Sequence, residues 1–289
     1  MAGTTCIFTH VSPNDRTGCS CPRPSAGACT IDSWPESAFL ARNRGTRLVN
    51  PFPDFKPAGN QGNDPDLYEI ENRALDPDGR LFDAMRSLAS WRGRTLLDLG
   101  CGSGYWLPIY AREASSVIGV EPDRTLLGRA HARRGGATVL HGSAEHIPLP
   151  DAVVDVVHAR FAYFFPPGCD AGLAEVRRVL RPQGTLVVVD NDHRNGEFAE
   201  LLGGSSWAAS QGTAESTNSW WAQRDAVRTE VMSEWRFDTR ADFERVLRLE
   251  FPPNVADPWL ADHPAAQGLS YGYVLFSVNG AVTLAAAGK

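Results

Sequence analysis

No run of eighteen apolar residues occurs in this 289-residue chain, so no stretch is long enough to cross a bilayer as a helix. The N-terminus lacks a basic segment leading into an apolar core, which argues against a secretory signal peptide and makes the cytoplasm the expected compartment. Excess positive charge is also missing. A formal net charge of -6 gives a surface that does not attract polyanions, so nucleic acid is not an expected partner. Cysteine is scarce beyond the first thirty residues, where Cys6, Cys19, Cys21 and Cys29 fall near His10. Their Cys-x-Cys-x7-Cys spacing lacks the paired Cys-x2-Cys of strong zinc sites, and no metal is expected. Internal repeats are absent as well.

What remains is an ordinary globular composition, 43% hydrophobic and 21% charged, in a chain long enough for one large domain with an appendage. Residues 1–63 are rich in Pro, Gly, Ser, Thr and Asn, with apolar stretches too short for a core, and read as a flexible N-terminal arm. From Asp64 the pattern changes. Leu67, Ile70 and Leu75, then Leu81, Ala84, Met85 and Leu88, recur at helical spacing on either side of Asp76-Pro-Asp-Gly79. Between residues 95 and 192 strands and helices alternate, with strands expected at 95–100, 116–121, 138–142, 154–160 and 184–190 and helices at 105–114, 124–134 and 172–180. Such alternation predicts a parallel α/β sheet that binds ligands at the carboxyl ends of its strands. The basic run Arg129–Arg134 falls on one of these helices and reads as a solvated face.

The most informative stretch is Thr95 to Gly104, an apolar run carrying Asp98 that breaks into Gly100, Gly102 and Gly104. Glycines in that position let a backbone turn tightly beneath a ligand at a helix N-terminus. The dinucleotide fingerprint places its third glycine three residues after the second, where this chain has Tyr105. The next strand ends in Glu121, seventeen residues after Gly104, where an acid can accept two hydrogen bonds from ribose hydroxyls.

With an acid two places before its first glycine, the Gly-x-Gly-x-Gly loop resembles that of class I S-adenosylmethionine-dependent methyltransferases of the small-molecule, type-11-like kind. Asp151 to Val157, preceded by Ile147-Pro-Leu-Pro150, is similar to that family's proline-containing loop and Asp-x-Val strand. Glu175 to Gly184 is similar to the helix and turn before its fifth strand, with Gln183 where a second glycine is usual. The resemblance implies a Rossmann-like seven-stranded, mostly parallel sheet with helices on both faces. It places the methyltransferase domain at 64–289, with Val231–Phe237 and Tyr271–Val278 as the closing antiparallel pair. Residues 196–230, with Trp207, Trp220 and Trp221, are expected to form a helical substrate lid, or else a packing element with buried indoles.

The same resemblance implies S-adenosylmethionine as cofactor and S-adenosylhomocysteine as product. Asp98, Gly100, Gly102, Gly104, Glu121 and Pro122 would hold the methionine and ribose portions, and Ser143, Ala144 and Glu145 the adenine, Ser143 standing where relatives carry an Asp. His158 and Arg160 end the fourth strand beside the methionine and the acceptor, and Tyr68 would close over the cofactor. His158, Tyr163, Asp192 and His193 are the candidates for accepting a proton, weighed against packing, wall-forming and turn-capping roles. After the fourth strand the chain reads His-Ala-Arg-Phe and lacks the Asn-Pro-Pro-Tyr of amino-methylating DNA and glutamine methyltransferases, which points to a small-molecule substrate. The Trp-rich segment and leading arm also resemble bacterial enzymes that methylate indoles at ring carbon 3 in natural-product pathways. A nicotinamide-dependent oxidoreductase and a non-catalytic S-adenosylmethionine sensor or subunit are the competing readings, and a homodimer is left open.

Overall fold

The computed structural model describes residues 51–205 and 214–279. The cysteine-rich start, with Cys6, Cys19, Cys21, Cys29 and His10, and Trp207 lie outside the described residues.

Seven strands form one sheet: β1 Thr95–Leu99, β2 Ser116–Glu121, β3 Thr138–His141, β4 Val154–Arg160, β5 Leu180–Asn191, β6 Val227–Arg236 and β7 Gly268–Asn279. Their order is β3-β2-β1-β4-β5-β7-β6. The first five run parallel, and β7 lies antiparallel to both β5 and β6. A dinucleotide-binding sheet runs 3-2-1-4-5-6, so the antiparallel strand wedged between β5 and β6 sets this chain apart from nicotinamide enzymes. The antiparallel pair starts earlier than the sequence suggests, at Val227 and Gly268, and its strands are separated by two helices.

The helices are α1 Gly59–Asn63, α2 Pro65–Ala74, α3 Arg80–Leu88, α4 Leu107–Tyr110, α5 Arg124–Arg133, α6 Asp170–Val179, α7 Glu197–Gly203, α8 Ala214–Ala222, α9 Arg240–Glu250 and α10 Pro253–Asp262. Their starts are written locally. Asp64 accepts from the Leu67 amide at 2.9 Å ahead of Pro65, Asp123 accepts from Thr125, and Thr239 from Asp242, each satisfying an amide that the helix leaves open. The helix expected at 105–114 is regular only over Leu107–Tyr110, because around it Ile109, Arg112 and Glu113 bond three residues back rather than four. The strand expected from 184 begins at Leu180, and its pairing with β4 shifts register between Val154 and Val156. Gly184 closes that irregular turn, where a Cβ would come within 2.6 Å of the Leu180 side chain.

Apolar side chains bury both sheet faces. One cluster gathers Leu96, Val156, Val187 and Tyr273 with Trp91, Tyr110 and Trp235, and the other gathers Leu97, Val157, Val188 and Phe276 with Trp221. The basic face of α5 is exposed at Arg129, His131 and Arg134, as expected, and it also ties α5 to α2: Arg129 pairs with Asp66 at 2.7 Å and Arg133 with Glu69 at 2.7 Å. Among the described residues no helix is long and apolar enough to cross a membrane.

Candidate active site

β1 delivers the chain to the glycine loop, where Gly100, Gly102 and Gly104 adopt φ of 76°, 57° and 78°. A side chain would be strained there and would also collide: a Cβ on Gly102 meets Gln61 at 2.5 Å, and one on Gly104 meets the Ala130 backbone at 2.9 Å. The amides of Gly100 and Cys101 both donate to the Val120 carbonyl, at 2.8 and 3.1 Å, which pins the loop to the end of β2. There Glu121 points its carboxylate under the loop. One oxygen accepts from the Gly102 amide at 2.7 Å and the other from the Asp123 amide at 2.8 Å. Burial pushes its pKa up to about 7 against the pull of those two amides. Asp98 is 1% exposed, and its Oδ2 has no hydrogen-bond partner. Burial raises it to about 6, with the Arg160 guanidinium opposing.

Beyond β3, Ser143 and Ala144 are buried, and the Ser143 hydroxyl lies 3.4 Å from His146 Nδ1. Glu145 accepts from the Tyr163 hydroxyl at 2.8 Å, and that hydroxyl accepts from the Gly172 amide at 3.0 Å, so Tyr163 is a strut between the β3 loop and α6. The Pro122 carbonyl is 3.2 Å from His141 Nε2. At the end of β4, Arg160 lies 4.1 Å over the Trp106 ring with its Nε unpartnered. Phe161 and Tyr163 then carry positive φ, a strained conformation for side chains of that size.

His158 sits elsewhere than its candidacy as a proton acceptor requires. It is 0% exposed, neither ring nitrogen has a partner, and it packs against Trp91 and Tyr110 at 5.2 Å. Burial depresses its pKa to about 3, so the ring is uncharged at neutral pH, and with no access to solvent its placement suits packing. Asp192 is occupied as a turn former, accepting from the Arg194 amide at 2.9 Å and from Asn195 Nδ2 at 2.6 Å. His193 beside it is half-buried, and burial lowers its pKa against the charges of Asp192 and Glu215. Of the described indoles, Trp221 stacks on Phe276 at 5.3 Å and Trp235 meets Tyr271 at 5.3 Å, both inside the cores.

Residues just ahead of α2 cover this edge of the sheet. The Phe52 ring meets His141 at 4.9 Å, Asp54 Oδ2 accepts from the Glu145 amide at 3.4 Å, and Gln61 rests on Gly102. α2 is tied down by Glu69, which accepts from the Ser103 hydroxyl at 2.6 Å and from Arg133 at 2.7 Å. Next to it, Glu71 on α2 is buried, and its Oε2 and the Oε1 of Glu250 at the end of α9 are enclosed oxygens with no hydrogen-bond partner. Burial raises the pKa of both acids, and Glu250 adds to the effect on Glu71. The sequence reading passes over Phe52, Asp54, Gln61, Glu71 and Glu250. For the two acids a signal exists: Glu71 falls in the stripe of Leu67 and Ala74, and Glu250 in that of Phe243, Val246 and Leu247. Two clefts of about 220 and 410 Å³ lie away from the glycine loop, one beside α8 and one along β6.

Residues 97–188 match the family described as "Methyltransferase domain". A malonyl-[acyl-carrier protein] O-methyltransferase of Serratia marcescens is 32% identical over 119 residues, 41% of this chain and 45% of that one. A demethylmenaquinone methyltransferase of Thermobifida fusca is 30% identical over 136 residues, 44% of this chain and 58% of that one. The chain thus spans about half the length of these curated relatives. Among solved structures, the YcgJ protein of Bacillus subtilis has a similar fold with a TM-score of 0.50 at 17% identity, covering 70% of this chain and 98% of that one. A protein of Anabaena variabilis described as a methyltransferase from an antibiotic biosynthesis pathway gives 0.51 at 17% identity, covering 71% and 99%. Residues 97–188 are thus similar to a methyltransferase domain, and the cofactor that this similarity implies is S-adenosylmethionine. The residues present fit that cofactor: Gly100, Gly102 and Gly104 present bare backbone, Glu121 has lone pairs left for the ribose hydroxyls, and the unpartnered Asp98 oxygen and Arg160 Nε suit an ammonium and a carboxylate.

Proposed function

We propose that this chain transfers a methyl group from S-adenosylmethionine to a small acceptor built on an aromatic frame, in secondary metabolism. The observation that carries the acceptor reading is the group of aromatic side chains at the carboxyl ends of β4 and β5 and in the amino-terminal half of the antiparallel β7 that faces them. Phe161 packs 6.1 Å from Tyr273, Tyr271 lies 4.4 Å from Tyr273, and the Tyr271 hydroxyl donates to Asn191 Oδ1 at 2.5 Å. Ligands of open α/β sheets bind outside the carboxyl ends of the strands. With Glu121 and the glycine loop at β1 and β2 committed to the cofactor, the ends of β4 and β5 are left for the acceptor.

The bound cofactor supplies a methyl group already activated on a sulfonium, so the protein's task is alignment and removal of a proton. Glu121 would hold the ribose and Asp98 the methionine ammonium. His193 is the better proton acceptor of the polar pair after β5, because its ring is neutral and half-exposed whereas Asp192 is taken up by Arg194 and Asn195. His193→Ala is expected to keep S-adenosylhomocysteine affinity and lower turnover by about 10²-fold or more. Unchanged turnover would move the base elsewhere.

The test of the reading as a whole has two arms. Calorimetry should detect S-adenosylhomocysteine and not NAD, and labelled methyl groups should pass from S-adenosylmethionine to an acceptor in a metabolite extract. Binding of NAD alone would overturn the methyltransferase reading, and proven cofactor binding with no transfer would favour a sensor or subunit. Within the active outcome, label on ring carbon 3 of an indole is the narrowest form of the proposal.

A further inference from the structure

β6 is an outermost strand of the sheet, with β7 paired along one of its edges. Its other edge is half covered. Around Trp235 the turn between α2 and α3 lies against it: Leu75 bridges Trp235, the Asp76 amide donates to the Glu234 carbonyl at 3.2 Å, and Arg80 donates to the Met232 carbonyl at 3.4 Å. The Ser233 hydroxyl donates to Asp76 Oδ1 at 2.6 Å and fixes the turn in place. From Val227 to Val231, among the described residues, no strand or bridge pairs with this edge. An open edge is a template for pairing with another chain. The exposed apolar side chains fall on the same strand: among the described residues Val227 and Met232 are the large hydrophobics left exposed, at 58% and 42%.

The charges along the open stretch say which chain fits. Main-chain groups of an antiparallel strand point alternately to its two sides. The Met232 and Glu234 carbonyls face the turn, so those of Arg228 and Glu230 face the same side, where the edge is open. A copy that pairs antiparallel with the whole of Val227–Val231 has the middle residue, Thr229, on the two-fold axis. Arg228 then stands opposite Glu230 of the second copy, and the two exchange both main-chain hydrogen bonds. Opposite charges directly across a ladder stabilise it and like charges destabilise it. One residue off in either direction, the axis would carry two arginines or two glutamates. On the other face Val227 meets Val231 of the second copy, which covers the exposed valine. Within one chain Arg228 donates to Glu230 at 2.5 Å and to Asn218 at 3.0 Å, and the five donors of a guanidinium leave others for a second carboxylate.

We propose that this chain pairs with a second copy of itself through the open edge of β6, antiparallel about Thr229, so that the two sheets run on as one. The paired stretch is short against the about 20–30 residues a side of a standard interface, so the dimer is weak and depends on concentration.

Sedimentation equilibrium of the full chain is expected to give a mass that climbs from monomer towards twice that value as concentration rises. Arg228→Glu and Glu230→Arg each set like charges opposite one another, and each alone should raise the dissociation constant by about 10-fold or more. Their equimolar mixture should regain association, and so should the double variant R228E/E230R, which a merely structural effect of either substitution would not allow. Under mild oxidation Thr229→Cys should form a disulfide-linked dimer beyond the wild-type background, while Val227→Cys should do so only when mixed with Val231→Cys. A wild type that stays monomeric at every concentration would overturn the proposal, and this measurement decides even where a variant fails to fold. So would a monomer whose Arg228 and Glu230 amides resist hydrogen exchange, since another segment of the same chain would then cover the edge. A dimer that survives both charge reversals and gives no Thr229→Cys cross-link would place the contact on a different surface and overturn it as well.

Discussion

Glu121 concentrates most of what a single residue contributes to the cofactor site. Its carboxylate organises the glycine loop through Gly102 and the start of α5 through Asp123, and must be ionised to accept ribose hydroxyls as well. Because burial holds its pKa at about 7, cofactor binding should release a proton near neutrality, and affinity should fall as pH drops below about 7. Glu121→Gln is expected to weaken S-adenosylhomocysteine by about 1.5–3 kcal/mol at pH 8 and to flatten that pH dependence. Calorimetry at pH 5.5 and pH 8 checks both, and a wild-type affinity equal at the two values would sever Glu121 from the ribose. Gly102 is the complementary case. Alanine there takes on a left-handed conformation at on the order of 1–2 kcal/mol and drives a methyl group into Gln61. Gly102→Ala should therefore fold less stably and bind S-adenosylhomocysteine poorly, whereas an affinity matching wild type would show that the cofactor does not approach this backbone.

At the level of elements, α1 and the residues before it are the weakest part of the site and the part that covers it. α1 buries no residue and has no side-chain cap, so its local stability depends on contacts such as Gln61 with Gly102. Hydrogen exchange across residues 52–63 is expected to be fast in the free protein and to slow on addition of S-adenosylhomocysteine, which gives the segment a ligand to close upon. Unchanged exchange in this segment alongside protection of the glycine loop would separate the two. This region also shows why one part of the site was legible in sequence and another was not. The glycine loop is local: three glycines, one acid before them and one after the next strand are forced by backbone geometry, and β1, β2 and Glu121 follow from them. Glu71 and Glu250 are enclosed through tertiary packing of α2 on α9, elements about 180 residues apart by chain numbering. Periodicity marked the apolar stripes of those helices but gave no reason to ask why an acid occupied each one. His158 is the opposite case: its position near a strand end suggested chemistry or packing, and its buried side chain against Trp91 and Tyr110 favours packing.

The molecule as a whole inherits an unusual pH response from the groups it buries. Asp98 and Asp190 are raised to about 6 and Glu121 to about 7, in each case by burial first. Their folded forms hold protons that the unfolded chain gives up near pH 4, so their contribution is complete below about pH 4 and is lost as pH rises towards 6 or 7. For Glu121 alone the loss amounts to about 3 kcal/mol at most, taking ~1.4 kcal/mol per unit. The Glu71–Glu250 pair acts in the same direction. His158 opposes them. Depressed to about 3, it contributes fully above about pH 6.5 and loses that contribution as pH falls towards 3. Between about pH 4.5 and 6.5 the acids outnumber the histidine, and stability should decline as pH rises. Below about pH 4 the acids no longer change, and His158 makes stability fall again. The cofactor-free protein is therefore expected to melt at its highest temperature between about pH 4 and pH 5. Glu121→Gln should narrow its deficit relative to wild type as pH rises from about 4.5 to 7, because only the wild type loses the buried proton over that range. Melting curves of both proteins from pH 3 to pH 8 test this. A wild-type melting temperature that climbs steadily from pH 4 to pH 7 would mean that the carboxyls at the sheet's edge are hydrated or paired in solution rather than buried.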